Sequence, residues 1–263
     1  MRSLVNLVKA LADEFDFRII TLDRDQAGDV PYAGVQIGSW QTVDRAEVLY
    51  LPRTDISISR LACEIAVVSP QLVYLNGFFD PVFTLRVLLA RRLRRLPNVP
   101  ILIAPLGDLS AGALELKRVK KAFYVRASRV AGLYNGLTWQ ASTEMEREDI
   151  LKIVPHVRAE DVRVATDLTE DLDADVPARQ PRLPGAAIRL CFLSRISPKK
   201  NLDFALRVLA QVKVAVEFTI FGPIDDAAFW ATCQPLMAQL PANVRTTYGG
   251  EVHPSDVRRT LAS

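Results

Sequence analysis

The sequence predicts an α/β protein of two doubly wound, parallel-sheet domains in series. Three observations predict it: short apolar strands alternate with amphipathic helices, one acidic and proline-bearing stretch breaks the alternation, and 263 residues leave room for two modest cores. A first helix is read at the start, where Leu4, Val5, Leu7, Val8 and Leu11 share one side, a pattern unlike a signal peptide. Strands follow at 17–22, 48–51, 72–76, 101–105, 137–141 and 162–166, with helical periodicity between most of them. Such alternation implies right-handed crossovers and a parallel sheet covered on both faces. From Asp167 to Pro184 the periodicity vanishes, and Asp167, Glu170, Asp171, Asp173 and Asp175 precede Pro177, Pro181 and Pro184, the composition of a linker. Strands resume at 188–193, 216–221 and 244–248, with helices at 202–212, 227–240 and from Pro254. The expected organisation is a first domain over 1–166, a linker over 167–187 and a second, half-size domain over 188–263.

Composition excludes several classes. No run approaches the roughly 18 to 20 apolar residues needed to cross a bilayer, so the chain is expected in the cytoplasm. Cys63, Cys191 and Cys233 stand far apart among apolar neighbours and read as small buried hydrophobes. His156 and His253 have no His or Cys at a ligand spacing, so no protein-held metal is expected, although a metal carried in by a substrate stays open. No glycine fingerprint for NAD or FAD is present. The net charge of +3 matters less than its distribution: Arg86, Arg91, Arg92, Arg94 and Arg95 load one helix at 82–96, and Lys117, Arg118, Lys120, Lys121, Arg126 and Arg129 load the next. The 82–96 helix fits an anionic membrane surface, and a solvated surface helix is the plainer alternative. Nucleic acid is not expected, because no binding motif or series of stacking aromatics accompanies the charge.

The segment 192–203, Phe-Leu-Ser-Arg-Ile-Ser-Pro-Lys-Lys-Asn-Leu-Asp, carries the most chemistry. The apolar run before it reads as a strand, Ser197-Pro198 as a turn, and Leu202, Leu206 and Leu209 as a helix. Arg195, Lys199 and Lys200 therefore sit at a strand's carboxyl end, the edge where open α/β sheets bind ligands. The helix start adds free N–H groups and the positive end of a dipole, which favour a phosphoryl group. A solvated basic turn is the alternative, and Lys199 is assigned to it.

This segment resembles the donor-site signature of glycosyltransferase family 4. Arg195 and Lys200 hold its two cationic positions, while Ser194 and Asn201 stand where glycines are usual. The resemblance continues through 218–225 with Gly222, through 244–252 with Gly249-Gly250, and upstream through 103–114, 117–123 and 137–146; Leu106 replaces a frequent Arg, and Asn76 stands where a His-containing turn is common. It implies a GT-B fold of two Rossmann-like domains, and transfer of a sugar from a nucleotide diphosphate sugar to a hydroxyl with retained configuration in surface polysaccharide or lipopolysaccharide synthesis. The acceptor would be a saccharide or lipid-linked, and no cofactor is implied. Arg195 and Lys200 would converge on the donor diphosphate in a crevice between the lobes and stabilise it as a leaving group. It also implies a strand and Gly-rich loop before the first helix and a paired-glutamate loop beyond Ser263, so both ends are expected to be truncated, the first sheet to lack a mid-sheet strand, and transfer by these residues alone to be weak or absent. A non-catalytic fragment that binds acceptor, membrane or a partner is the alternative, and a GT-B epimerase is a more distant one.

Other candidates admit two readings. Asn76, at a strand's end before the Asp80-Pro81 helix start, is an acceptor contact or a plain turn residue, and Asp80 is expected to cap. Asp108 either faces the acceptor side or caps a helix over 111–132. Glu144 and Glu146 complement a helix dipole after Ser142-Thr143. Gly222 and Gly249 permit tight turns, with approach of a backbone to the nucleotide left open.

Overall fold

The computed structural model describes residues 2–25, 28–115, 118–154, 156–168, 185–253 and 256–262. The chain divides into two compact units, Met1–Glu170 and Asp171–Ser263. Most of the expected linker, residues 169–184, lies outside the described residues, as do Lys117 of the second basic run and Pro254 and Ser255 at the expected start of the last helix.

In the first unit the order is α1 (Arg2–Leu11), β1 (Phe17–Leu22), β2 (Trp40–Val43), β3 (Ala46–Leu51), α2 (Ile58–Val68), β4 (Val73–Asn76), α3 (Thr84–Arg92), β5 (Ile101–Ala104), α4 (Ala111–Glu115), α5 (Arg118–Val130), β6 (Thr138–Ala141), α6 (Glu144–Ile153) and β7 (Val162–Val164). The strands form two sheets, β1-β3-β2 and β4-β5-β6-β7. All pairings are parallel except β2 with β3, a strand absent from the sequence reading. It forms because Asp44 takes the left-handed conformation (φ 54°) in a two-residue turn, bringing Val43 opposite Ala46. Its outer residues Thr42 and Val43 are exposed, so hydrophobic alternation had nothing to report.

Among the described residues β1 has a ladder partner only in β3, and β4 only in β5. Side chains join the two sheets instead. Leu22, Leu49 and Leu51 of the first sheet share one buried cluster with Leu75, Ile101 and Ile103 of the second, and Leu61 and Ile65 of α2 belong to it as well. Ser57 starts α2 by accepting from Arg60 N at 3.0 Å. On α1, Val8 is buried with Ala46 and Val48. The helix expected over 111–132 is two segments, α4 and α5.

The second unit runs β8 (Ile188–Leu193), α7 (Leu202–Leu209), β9 (Val216–Phe221), α8 (Ala227–Ala238), β10 (Val244–Gly250) and α9 (Val257–Ala262), with the parallel order β10-β9-β8. Alternate residues of β9, Val216, Phe218 and Ile220, are buried in a cluster with Leu202, Leu206 and Leu209 of α7 and Cys233 of α8. Two successive right-handed crossovers bring both helices to the same face. The intervening side chains, Glu217 of β9 and Arg189 and Cys191 of β8, are exposed on the other side. This corrects the cysteine expectation: Cys233 is buried, but Cys191 and Cys63 are exposed, because β8 is an edge strand with its second face open and Cys63 lies on the outer side of α2.

Gly222 (φ +134°) follows β9 where an added Cβ would lie 2.0 Å from the Ser194 carbonyl oxygen. Gly222→Ala is expected to destabilise the protein by about 2–4 kcal/mol through overlap and backbone strain. Gly112→Ala, in α4 with open space around the added methyl, is expected to be neutral or stabilising by up to about 1 kcal/mol. Urea denaturation followed by circular dichroism checks the pair, and equal midpoints would refute the close approach.

Candidate functional site

Two loop clusters, one in each unit, hold the candidate residues. In the first unit β4, β5 and β6 run parallel and end at one edge. Asn76, the last residue of β4, is exposed there. It lines a shallow hollow, open to solvent, with Tyr74, Gln140, Asp167 and α1 residues Ser3 and Leu7. The Tyr74 hydroxyl donates to Gln140 Oε1 at 3.1 Å. Burial, and then the negative charges of Asp167 and Glu146, raise the Tyr74 pKa above its ordinary value.

Asp108 is not a helix cap. Its Oδ2 accepts from Phe78 N at 3.0 Å and Phe79 N at 3.4 Å, tying the loop after β5 to the loop after β4. The capping expectation fails because the turn at Leu106 (φ 53°) and Gly107 (φ 75°) brings the carboxylate to those amides instead. Glu146 forms a second tie that the sequence reading missed. It is 8% exposed, and its Oε1 accepts from Gly107 N at 2.6 Å while Oε2 accepts from Ser142 N at 2.7 Å. It stands in the first turn of α6, as the dipole reading requires, but the bond to Gly107 spans 39 positions in sequence. The available signal was Thr143-x-x-Glu146, a capping-box pattern; Thr143 Oγ1 does accept from Glu146 N at 3.1 Å. The expected Asp80 cap of a helix starting at Pro81 does not form: α3 instead begins at Thr84 without a side-chain cap, and Asp80 Oδ1 accepts from Val82 N at 2.8 Å and Phe83 N at 2.6 Å in the turn that precedes it.

An aromatic group supports these loops. Phe78 is fully buried, with ring centroids 5.4 Å from Tyr134 and 5.9 Å from Trp139. The Tyr124 hydroxyl donates to Phe78 O at 3.2 Å. Burial pushes Tyr124 up to about 12 and raises Tyr134 as well.

In the second unit the loops after β8, β9 and β10 are bonded to one another. Ser194 N donates to Phe221 O at 3.1 Å, Ile196 N to Pro223 O at 2.8 Å, Gly222 N to Gly250 O at 2.8 Å and the Tyr248 hydroxyl to Gly222 O at 2.9 Å. Ile196, fully buried, anchors the first of them. Its neighbour Arg195 points outward, 63% exposed, and its Nη1 lies 3.2 Å from Asp225 Oδ2. Lys199 and Lys200, both exposed, form a 3-10 turn with Pro198. Asn201 follows at φ 54°, the left-handed geometry that Asn tolerates, and α7 begins at Leu202. Gly249 leaves room for the Phe221 ring, whose nearest atom would be 2.4 Å from an added Cβ. Both glycines thus serve contacts within the unit. Asp225 was missed because only folding brings it to Arg195; its neighbour Asp226 caps α8 by accepting from Phe229 N at 2.9 Å.

Among the described residues no group of three His, Cys, Asp or Glu side chains could hold a metal ion, and no helix is long and apolar enough to cross a membrane.

The fold is that of the GT-B glycosyltransferases: parallel α/β units of this kind match their solved structures. Anabaena Alr3699/HepE in complex with UDP and glucose superimposes with a TM-score of 0.60 at 14% identity, over 98% of this chain and 67% of that one. A glycosyltransferase from Rickettsia africae ESF-5 gives 0.53 at 12% identity, over 82% and 58%. The apo form of the lipopolysaccharide outer core galactosyltransferase WaaB gives 0.52 at 14%, over 78% and 51%. The chain therefore spans about half to two thirds of the length of these structures. No protein-family model and no curated protein sequence matches it.

Two outcomes follow from the first loop cluster. Asp108→Ala is expected to cost about 2–3 kcal/mol, the scale of lost bonds to a charged acceptor, with faster hydrogen exchange at the Phe78 amide; unchanged exchange would exclude the tie. Tyr124, held above its unfolded value near 10, keeps a proton that the unfolded chain releases. Its contribution is full below about pH 10 and is lost as pH rises toward 12. Melting temperatures from pH 8 to 12 should fall less steeply in Tyr124→Phe than in wild type, and identical slopes would contradict it.

Proposed function

We propose that the chain is a glycosyltransferase of family 4 that takes a nucleotide diphosphate sugar at the carboxyl edge of its second unit and uses no cofactor of its own. The observation that carries this reading is the single loop from Ser194 to Asn201, which carries Arg195 and Lys200 ahead of the α7 N-terminus at the end of a parallel strand. As the bond between sugar and diphosphate breaks, negative charge grows on the leaving oxygens. Arg195 offers a planar fork of N–H donors and Lys200 a point charge, and both stabilise that state more than the ground state. Gly222 and Gly249 keep the adjoining loops in place around the donor.

The proposed reaction is transfer of a hexosyl group to a hydroxyl with retention, in surface polysaccharide or lipopolysaccharide synthesis on the cytoplasmic side. The likeness to HepE, bound to UDP and glucose, and to WaaB, a lipopolysaccharide galactosyltransferase, supports that class. A saccharide or lipid-linked acceptor belongs to the first unit, where Asn76 lines the hollow and its amide can donate to or accept from a hydroxyl without taking its proton. Asp108 serves that side by holding the adjoining loop.

Isothermal titration with UDP tests the donor site. Arg195→Ala and Lys200→Ala are each expected to weaken binding at least about tenfold, the loss of a charge-assisted hydrogen bond. Lys199→Ala should leave it unchanged. Failure of the wild-type chain to bind UDP, or equal binding by all three variants, would sink the reading.

A further inference from the structure

The loop from Ser194 to Asn201 carries three cations, and only one of them has a carboxylate beside it. Arg195 Nη1 lies 3.2 Å from Asp225 Oδ2, whereas Lys199 and Lys200 meet no carboxylate among the described residues. Backbone bonds arrange that pairing. Ile196 N donates to Pro223 O at 2.8 Å and Asp226 N donates to Ile196 O at 3.1 Å, so that Ile196 is bridged in parallel to Ile224. Arg195 and Asp225 flank this bridge and are brought together across two loops. Because Ile196 is fully buried, the bridge is anchored in the unit's core.

The two adjacent acids have different duties. Asp226 starts α8, where its Oδ1 accepts from Phe229 N at 2.9 Å. The Asp225 side chain caps nothing, and among the described residues it bonds only to Arg195. Both partners of that pair are exposed, and a single contact in water adds little to the stability of a fold. The effect of the Asp225 carboxylate therefore falls on the guanidinium.

We propose that Asp225 is a positioning residue that acts through Arg195: its carboxylate competes with the donor's diphosphate, and by retaking Arg195 it shortens the stay of the nucleoside diphosphate left after transfer. This inference rests on the donor reading given above. Breaking the bond between sugar and diphosphate leaves the electron pair on the diphosphate, which then carries one more negative charge and grips an arginine more firmly than the donor did. A site that only attracts would hold its product. A carboxylate in reach of the same guanidinium weakens that grip twice, as the partner that must be given up and as a like charge beside the phosphates. Exposure to water and salt keeps its range short, so the effect is confined to ligands that use Arg195.

Isothermal titration with UDP and a stopped-flow chase of fluorescently labelled UDP test this on the full chain. Asp225→Asn keeps an oxygen that can accept from Nη1 and removes the charge alone. It is expected to bind UDP about three- to tenfold more tightly, with correspondingly slower dissociation and an unchanged melting temperature. Asp225→Glu, which restores the charge, should restore fast release. In an Arg195→Ala background the Asn substitution should change affinity less than about twofold, because the competitor then has nothing to hold. Unchanged or weaker binding by Asp225→Asn, or tightening that persists in full without Arg195, would overturn the inference and leave the donor site standing. A wild-type chain that binds no UDP would end both.

Discussion

The architecture of the first unit depends on side-chain packing where a backbone ladder would ordinarily do the joining. Its two sheets meet through the cluster that contains Leu22, Leu49 and Leu51 on one side and Leu75, Ile101 and Ile103 on the other, with α2 supplying Leu61 and Ile65. Burying each such side chain is worth about 1.5–3 kcal/mol, ample in sum to hold two sheets together. Hydrophobic contact is non-directional, however, and it sets no register. Precision at the site must therefore come from elsewhere, and it comes from β4, β5 and β6, which are laddered to one another, and from the loops that end them.

Those loops are held by two carboxylates. Asp108 gathers the amides that follow β4, and Glu146 joins the turn after β5 to the start of α6. A carboxylate that accepts backbone N–H bonds offsets the cost of leaving those donors unpaired in a half-buried setting. The consequence for function is a division of labour. Asp108 and Glu146 are committed to geometry, whereas Asn76, at the end of β4, is exposed.

Local chemistry was legible in the sequence and long-range partnership was not. The alternation of strands and helices, the Asp80 turn, the Asn201 turn and the placement of Arg195 and Lys200 at a strand's end all follow from spacing and from residue types that act on near neighbours. β2 escaped notice because its exposed side chains carry no alternation and its existence rests on one positive φ at Asp44. Glu146 read as a dipole partner because its bond to Gly107 spans the intervening α4, α5 and β6. Cys191 read as buried because its neighbours are apolar, yet it lies on the open face of an edge strand, β8, where Arg189 is exposed beside it. In each case the deciding fact is which segments lie side by side in space, information that periodicity does not contain.

The Arg195 pair with Asp225 illustrates how such a partner alters a functional reading. An ion pair with 63% and 46% of its side chains exposed is worth about 0–1 kcal/mol, so breaking it costs the fold little. A diphosphate, with more than one negative charge and several acceptor oxygens, competes well against a single carboxylate for a guanidinium. On the proposed function the same anion would meet the α7 start, where Asn201 makes no side-chain bond to the first-turn amides and Asp203 pairs with Arg207 at 2.7 Å. In that reading an arriving diphosphate would displace Asp225 from Arg195 at little cost to the fold. A tighter, buried pair would have locked the arginine away from any ligand, whereas no pair at all would have left a long side chain to be ordered on binding, at a cost of about 1–2 kcal/mol in rotamer entropy.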